Sequence, residues 1–281
     1  MRWLSFERNG KASFGLVCDE GVVDVGALAP DVADLKAAIA AGRLADLGAA
    51  AVARPVDLPL AGLTFLPVIP SPGKILCAGL NYRAHQAETG RGGEPYPTIF
   101  VRFAGAQVAH NQAMWRPRES TNLDFEGEIA LVIGKAGRRI AREDWLDHVA
   151  GFVPYNDGSV RDWQRHTSQF TPGKNFARTG GFGPWMMTPD EVGDPAALEL
   201  TTRLNGQVVQ NALSSQMVFS FGDLIAYCST FVELEPGDVI VTGTPGGVGA
   251  ARTPPLWMKA GDRIEVEVRP IGTLVNDVID G

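Results

Sequence analysis

Three carboxylates occupy alternate positions at the start of the stretch LDFEGEIALVIG, residues 123–134. Asp124, Glu126 and Glu128 lead directly into an apolar run that is typical of a buried strand. Because residues i and i+2 of a strand point to the same side, this spacing predicts that the three carboxylates share one face. Negative charges this close repel each other, so either water screens them at an exposed strand end or a cation binds them.

Asp157 adds a fourth carboxylate at the end of another apolar run, VAGFVPYND. Asn156 and Gly158 on either side of it indicate a turn. Two glutamates and an aspartate offer only oxygen ligands, which suit a hard cation such as Mg²⁺ or Mn²⁺ and leave coordination positions for water and substrate. Periodicity alone does not predict that the two strand ends lie close together. An exposed strand end whose carboxylates are screened by water therefore remains the alternative to a cation site.

His85 has a carboxylate at helical spacing, because Glu88 follows it by three residues in NYRAHQAETG. Residues i and i+3 are neighbours on a helix. A carboxylate beside an imidazole orients the ring and stabilises its protonated form, as a general base requires. An exposed helical ion pair is the alternative interpretation. The other histidines lack such a partner, and we expect them to be structural or close to the substrate: His110, His148 and His166.

The elements that position these residues are mostly short strands. The 33 glycines and 19 prolines indicate many turns. The runs TIFVRF, GEIALVIG and VAGFVPYND are typical of strands, and Asn205-Gly206 between two alternating runs indicates a hairpin. The run FSFGDLIAYCSTFVEL has apolar residues at helical spacing. The pattern therefore predicts a β-rich core with a few covering helices.

The beginning of the chain has a different pattern, which predicts a small unit over residues 1–70 and a larger domain over residues 71–281. A turn is expected at residues 19–21, between two short strands. The Ala- and Leu-rich run that follows has helical spacing, with breaks expected at Gly42 and Gly48.

Composition restricts the class of protein. A net charge of −7 and a pI of about 5.2 argue against nucleic acid as a partner, because phosphate binding needs clustered Lys and Arg. No apolar run approaches the roughly 20 residues of a membrane-spanning helix, and the first residues lack the apolar segment of a secretory signal. The three cysteines are odd in number and scattered, which suits a reduced cytoplasmic protein: Cys18, Cys77 and Cys228.

Six segments, taken in order, resemble the fumarylacetoacetate hydrolase family, in particular its branch of 2-hydroxyhepta-2,4-diene-1,7-dioate isomerases and acylpyruvate hydrolases. They are AGLNYRAHQAE, LDFEGEIALVIGK, YNDGSVRDWQ, GKNF with GFGPW, LNGQVVQNALSSQMVFSFGDLIAYCS, and LEPGDVIVTGTPGGVG. The resemblance runs from about residue 72 to the end of the chain, and it implies an α+β, β-rich fold, a mixed β-sandwich roll behind a small N-terminal α/β domain. It also implies a homodimer.

The resemblance implies a metal centre and a catalytic pair. Its metal carboxylates match Glu126, Glu128 and Asp157, with Mg²⁺ or Mn²⁺ as the usual cofactor and Ca²⁺ as a substitute in crystals. His85 and Glu88 match a His-Glu pair on a lid segment that orders over the bound substrate.

The resemblance also implies substrate contacts. Lys174 matches a lysine that faces the substrate, and Thr244 lies in a loop that contacts the substrate carboxylate in relatives. Arg161 and Gln164 match polar residues near the substrate. Val160 departs from the alanine that relatives usually carry. The segment after Gln164 is longer and more polar than a minimal version, and its side chains either shape the pocket or decorate a loop: Arg165, His166, Thr167 and Gln169.

The implied chemistry is the stabilisation of an enolate of a 2-oxo acid by a divalent metal. The first hypothesis is hydrolysis of a C–C bond in an acylpyruvate-like 2,4-dioxo acid, part of aromatic or sugar-acid catabolism, in which His85 activates water and pyruvate enolate leaves. Decarboxylation of an oxaloacetate-type acid and isomerisation of a 2-oxo or 2-hydroxy-dienoate use the same enolate and are the alternatives. A metal-binding scaffold without catalysis is a remote third interpretation.

Overall fold

The computed structural model describes residues 1–19 and 21–281. Strand residues make up 35% and helical residues 24% of the chain, which confirms the β-rich α+β prediction. Within the described residues, no helix is both long enough and apolar enough to span a membrane.

The strands and helices of the described residues have the following bounds. The strands are β1 Arg2–Arg8, β2 Lys11–Cys18, β3 Gly21–Asp24, β4 Leu58–Pro59, β5 Thr64–Phe65, β6 Ile75–Gly79, β7 Thr98–Arg102, β8 Gln107–Val108, β9 Met114–Arg116, β10 Leu123–Asp124, β11 Gly127–Ile133, β12 Val149–Asp157, β13 Ser159–Val160, β14 Gly180–Phe182, β15 Met186–Met187, β16 Glu199–Leu204, β17 Gln207–Leu213, β18 Val239–Val241, β19 Arg263–Arg269 and β20 Gly272–Asp280. The α-helices are α1 Val25–Leu28, α2 Leu35–Ala40, α3 Leu44–Val52, α4 Arg83–Thr89, α5 Arg161–Gln164, α6 Thr171–Lys174, α7 Pro189–Val192 and α8 Phe221–Phe231. Short 3₁₀ helices cover Ala104–Ala106, Arg142–His148, Pro195–Ala197, Ser214–Gln216 and Gly249–Ala251.

The main sheet has β11 near its middle. Its order is β4-β3-β2-β1-β15-β12-β11-β18-β6-β7. β11 pairs antiparallel with β12 on one side and with β18 on the other. Every residue of β11 and β12 is buried, as the continuous apolar runs of both strands predict.

A second sheet, of order β17-β16-β19-β20-β9, packs against the main one. Leu131 of β11 shares a core with Leu200 of β16 and Val266 of β19. α8 covers the same core, and Ser220 and Asp223 form a capping box at its first turn. The predicted hairpin at Asn205-Gly206 is confirmed, since β16 and β17 flank it antiparallel.

The first strands of the chain extend the main sheet, because β1 pairs with β15. Trp3 of β1 lies in one core with Tyr155 and Phe182 of the larger part of the chain. The boundary at residue 70 stays a prediction. The first hairpin is confirmed by the pairing of β2 with β3, although Glu20 in its turn lies outside the described residues.

The Ala- and Leu-rich run divides at Gly42, whose φ of 66° separates α2 from α3. The second predicted break is wrong, because α3 continues through Gly48. A Cβ atom at Gly48 would lie only 2.2 Å from Sδ of Met1. This glycine therefore permits close packing on the N-terminal strand and does not end a helix.

Candidate metal centre

The carboxylates of Glu126, Glu128 and Asp157 converge, with one oxygen of each within 4.8 Å of the others. The antiparallel register of β11 and β12 brings them together, because Gly127 at the start of β11 lies opposite Asn156 at the end of β12. The backbone N–H of Asp157 also donates to the carbonyl oxygen of Glu126 at 2.8 Å. Pairing between strands distant in sequence thus supplies the proximity that periodicity could not predict.

The strand pairing around the carboxylates is interrupted, although Glu126 and Glu128 still converge as their alternate spacing predicts. β10 ends at Asp124 and β11 begins at Gly127, which leaves Glu126 between them. The backbone N–H of Glu126 donates to Oδ1 of Asn156 at 3.0 Å. A Cβ atom at Gly127 would lie 1.9 Å from Oγ1 of Thr202, so the glycine allows the second sheet to approach this point closely.

Asp124 lies outside the group of three carboxylates, and it is fully buried. It accepts hydrogen bonds from Nε of Arg161 at 2.8 Å and from the backbone N–H of Gly249 at 2.7 Å. A third bond comes from the backbone N–H of Ala250 at 3.0 Å. Asp124 therefore fixes Arg161 against the glycine-rich loop near β18.

Buried cations surround two of the three carboxylates. Nζ of Lys174 lies 2.6 Å from Oε2 of Glu126 and 2.6 Å from Oδ2 of Asp157. A guanidinium nitrogen of Arg161 lies 2.6 Å from Oε1 of Glu126. Arg102, at the end of β7, donates to Oδ1 of Asp157 at 2.5 Å. Sequence reasoning missed Arg102, because a single arginine at a strand end carries no partner pattern.

Glu128 differs from the other two carboxylates. It is 2% exposed, and among the described residues its hydrogen-bond donor is the backbone N–H of Gly243 at 2.5 Å. Burial, together with the charges of Asp157 and Glu126, raises the pKa of Glu128 well above its usual range. Burial also acts to raise the pKa of Glu126, but Arg161 and Lys174 outweigh it and hold that pKa below its usual range.

This donor set fits a divalent cation. All three ligands are hard oxygen donors at compatible separations, and one of them, Glu128, has no cationic side chain beside it in the described part of the chain. A cation between the three carboxylates would offset the repulsion that burial strengthens.

His85 and Glu88 form the predicted pair on α4. Nδ1 of His85 lies 2.7 Å from Oε1 of Glu88, and His85 is only 6% exposed. The alternative of an exposed helical pair therefore does not describe His85. The other oxygen of Glu88 accepts from the backbone N–H of Gly247 at 2.7 Å, which ties α4 to the glycine-rich loop. Because Nδ1 faces Glu88, Nε2 is the ring nitrogen left for proton exchange.

One cavity of about 420 Å³ joins these groups. Asp157 does not line it and is fully buried, whereas the other predicted site residues all line it: His85, Glu88, Glu126, Glu128, Arg161, Gln164, Lys174 and Thr244. Oε1 of Gln164 accepts from Arg161 at 2.9 Å. The hydroxyl of Thr244 donates to the carbonyl oxygen of Gly127 at 2.9 Å, so its contact with a substrate stays a prediction.

Comparison with known proteins shows the family of this chain. The family model for the fumarylacetoacetate (FAA) hydrolase C-terminal region matches residues 74–279. A mitochondrial oxaloacetate tautomerase of Homo sapiens is 42% identical over 224 residues, which cover 79% of this chain and 71% of that protein.

Two solved structures superpose on the whole chain. Fumarylacetoacetate hydrolase from Exiguobacterium antarcticum has a TM-score of 0.84 at 31% identity, with 100% of each chain covered. Maleylpyruvate hydrolase from Sphingobium sp. SYK-6, solved in complex with manganese(II) and pyruvate, has a TM-score of 0.84 at 29% identity, again with 100% of each chain covered.

Proposed function

We propose that this chain, which belongs to the fumarylacetoacetate hydrolase family, is a divalent-metal-dependent enzyme that works through the enolate of a small 2-oxo acid. One observation carries the proposal: two of three converging carboxylates, a His-Glu pair with a buried histidine, and a buried lysine line a single cavity. Family membership by itself leaves the reaction open, since named relatives include a tautomerase and hydrolases.

The metal would be held by Glu126, Glu128 and Asp157. When bound there, Mg²⁺ or Mn²⁺ supplies Lewis acidity that polarises the carbonyl of a 2-oxo acid and stabilises negative charge on its oxygen. Manganese in the related maleylpyruvate hydrolase supports this choice of ion.

The chain's own residues then move protons and stabilise charge. His85, held by Glu88, takes a proton from the carbon beside the carbonyl and returns one to the enolate. Although burial acts to lower the pKa of Lys174, Asp157 and Glu126 raise it overall, so Lys174 stays a cation at neutral pH. Lys174 thus stabilises developing negative charge and does not act as a base. Arg161, fixed by Asp124, orients the substrate's carboxylate.

We rank keto-enol tautomerisation of an oxaloacetate-like acid first, because the tautomerase is the more similar named relative at 42% identity. In this reaction one C–H bond breaks and one O–H bond forms, so a single positioned base is sufficient. The same residues would support decarboxylation, in which a C–C bond breaks and CO₂ leaves.

Hydrolysis of a 2,4-dioxo acid is the second candidate, and the related maleylpyruvate hydrolase, solved with pyruvate, favours it. Here His85 takes a proton from water, hydroxide attacks the distal carbonyl, and the C–C bond breaks to release a carboxylic acid and the enolate of pyruvate. The contact between His85 and Glu88 supports either proton transfer.

Spectroscopy of the enol band separates these candidates. The protein is incubated with Mn²⁺ and either oxaloacetate or acetylpyruvate, with and without EDTA, and the enol absorbance and products are followed. Faster metal-dependent enol-keto exchange of oxaloacetate without loss of total acid supports tautomerisation. Release of acetate and pyruvate from acetylpyruvate supports hydrolysis, and CO₂ supports decarboxylation. No metal-dependent change with either acid contradicts the proposal.

We further propose a cytoplasmic homodimer. Exposed aromatic side chains support an interface, including Tyr96 at 66% and Phe231 at 55% exposure, which both lie near Tyr227. Three free cysteines suit a reducing compartment. Light scattering of the purified chain tests the dimer, and cell fractionation tests the compartment.

A further inference from the structure

Asn175 follows directly after α6, and its side chain binds the outer edge of the main sheet. β7 is the last strand in the order of that sheet, so one of its edges has no neighbouring strand among residues 1–19 and 21–281. Oδ1 of Asn175 accepts from the backbone N–H of Phe103 at 2.7 Å, and Nδ2 donates to the carbonyl oxygen of Val101 at 3.1 Å. A single amide thus binds this edge as a neighbouring strand would.

The same amide also holds α6. Nδ2 of Asn175 donates to the carbonyl oxygen of Thr171, the first residue of this helix, at 3.0 Å, so both N–H groups of the amide have partners. α6 has only four residues, and a helix of that length has little stability of its own. The three hydrogen bonds of Asn175 therefore fix α6 against β7.

The two elements that Asn175 joins each carry a cation of the metal centre. Arg102 lies between the two residues of β7 that the amide binds, and it donates to Oδ1 of Asp157. Lys174 immediately precedes Asn175, and its Nζ lies 2.6 Å from Oδ2 of the same carboxylate. The two oxygens of Asp157 are thus held by cations whose relative position depends on the Asn175 amide.

Aromatic contacts join α6 to β7 independently of Asn175. Nζ of Lys174 lies 4.9 Å from the ring centroid of Phe100 on β7. The ring of Phe170, which precedes α6, packs edge-on against Phe100 at a centroid distance of 5.7 Å. Without the amide, α6 should therefore stay on β7, but its position should become less well defined.

We propose that Asn175 is a positioning residue, which sets the place of Lys174 relative to Arg102 and the Asp157 carboxylate, and this inference rests on the proposed function. Asn175 does not line the cavity, so it acts through Lys174 and not by touching the substrate. The ammonium group of Lys174 stabilises charge that develops only as the enolate forms. A displaced ammonium group therefore lowers kcat and leaves KM and Mn²⁺ affinity unchanged.

Kinetics of Asn175→Ala and Asn175→Asp with Mn²⁺ test this inference. Alanine removes all three hydrogen bonds, whereas aspartate keeps the size of the side chain and the acceptor but loses both donors. We expect kcat of each variant, measured with whichever of oxaloacetate and acetylpyruvate the wild type converts, to fall about 10- to 100-fold. KM and Mn²⁺ affinity should stay unchanged. Asn175→Asp keeps the test available if the alanine variant does not fold.

Chemical labelling of metal-free protein gives a readout that needs no turnover. Lys174 is 1% exposed and ion-paired, so a small amine reagent such as acetic anhydride should modify it slowly. Mass spectrometry should show that Lys174 is modified about tenfold faster in both variants, because local opening becomes easier. Lys259, whose side chain is 66% exposed, is the internal reference and should react equally in all proteins.

Asn211→Ala is the matched control. The amide of Asn211 is likewise hydrogen-bonded, to Oε1 of Glu199 at 3.1 Å and to Oγ1 of Thr201 at 2.9 Å. It lies on β17 at the end of the second sheet and does not line the cavity. Its loss should leave kcat and the labelling of Lys174 unchanged.

Unchanged kcat, or unchanged labelling of Lys174, in both Asn175 variants overturns the inference and leaves the proposed function standing. An equal fall in kcat and in Mn²⁺ affinity also overturns it, because the amide would then support the whole metal centre. If the wild type converts neither acid with Mn²⁺, the proposed function fails and this inference fails with it.

Discussion

At the scale of single residues, Glu128 distinguishes this site from an ordinary cluster of ion pairs. Two neighbours, Glu126 and Asp157, form ion pairs with buried cations, whereas Glu128 forms none with the residues that the structure describes. A raised folded-state pKa means that the folded protein binds a proton more readily than the unfolded chain does. The stability of EDTA-treated protein should therefore fall as pH rises from about 4.5, the ordinary pKa of glutamate, through the raised pKa of Glu128.

Glu128→Gln tests both the cost of the buried charge of Glu128 and its role as a metal ligand. The amide keeps the size of the side chain but removes its charge, so the EDTA-treated variant should unfold at a higher temperature than wild type at about pH 8. Its stability should also depend less on pH above about 4.5. Manganese affinity should fall by about 100-fold or more, because a charged ligand is lost. Thermal unfolding and Mn²⁺ titration measure these effects, and an unchanged Mn²⁺ affinity would contradict the ligand role.

Glu88→Gln tests the orienting carboxylate. We expect kcat to fall about 100-fold, the lower range for a general base, because the amide lacks the negative charge that faces Nδ1 of His85. Mn²⁺ affinity should stay unchanged, since Glu88 lies outside the three carboxylates. Glu143→Gln, on the exposed 3₁₀ helix Arg142–His148, is the control. A parallel loss of metal binding in Glu88→Gln would show a structural role instead.

The residue types of the site can be read from the sequence, but their environment cannot. Alternation identifies Glu126 and Glu128, and helical spacing identifies His85 with Glu88. The burial of Asp124 and the role of Arg102 depend on partners distant in sequence, so no local pattern predicts them.

At the scale of elements, the break between β10 and β11 determines where the two glutamates lie. Glu126 falls between the two strands, and Glu128 is the second residue of β11. Gly127 lies against Thr202 of the second sheet, where a Cβ atom would be 1.9 Å from Oγ1. Gly127→Ala should therefore lower the free energy of unfolding by about 1–3 kcal/mol through overpacking. It should also weaken Mn²⁺ binding, because Glu126 and Glu128 flank the displaced residue.

Gly105→Ala is the matched control for this prediction. A Cβ atom added at Gly105 would meet no other atom within 4 Å, and this residue does not need a positive φ. Its free energy of unfolding, measured by urea denaturation, should stay within about 0.5 kcal/mol of wild type. Equal stability of the two variants would contradict the packing argument.

Elements set by local chemistry are predictable from the sequence, and those set by tertiary contact are not. The Asn205-Gly206 hairpin follows from turn chemistry that two residues carry by themselves. Gly48 is expected to break a helix because glycine lowers helix propensity, yet its packing against Met1 outweighs that preference.

At the scale of the whole molecule, the N-terminal strands and the metal-site strands belong to one sheet. Trp3 is fully buried in the core that contains Tyr155 and Phe182. Trp3→Ala should lower the free energy of unfolding by about 3–5 kcal/mol and keep a single cooperative transition. Urea unfolding followed by fluorescence and circular dichroism tests this. Two separate transitions would instead indicate that residues 1–70 fold independently.

The central claim is that this molecule forms an enolate of a 2-oxo acid at the three-carboxylate site. Exchange of the C3 protons of pyruvate and 2-oxoglutarate with D₂O, followed by NMR, measures enolate formation whichever reaction completes the cycle. We predict exchange that depends on Mn²⁺ or Mg²⁺, is abolished by EDTA and is lost in Glu128→Gln. If both acids exchange no faster than in protein-free solution that contains the same metal, the result contradicts enolate formation at this site.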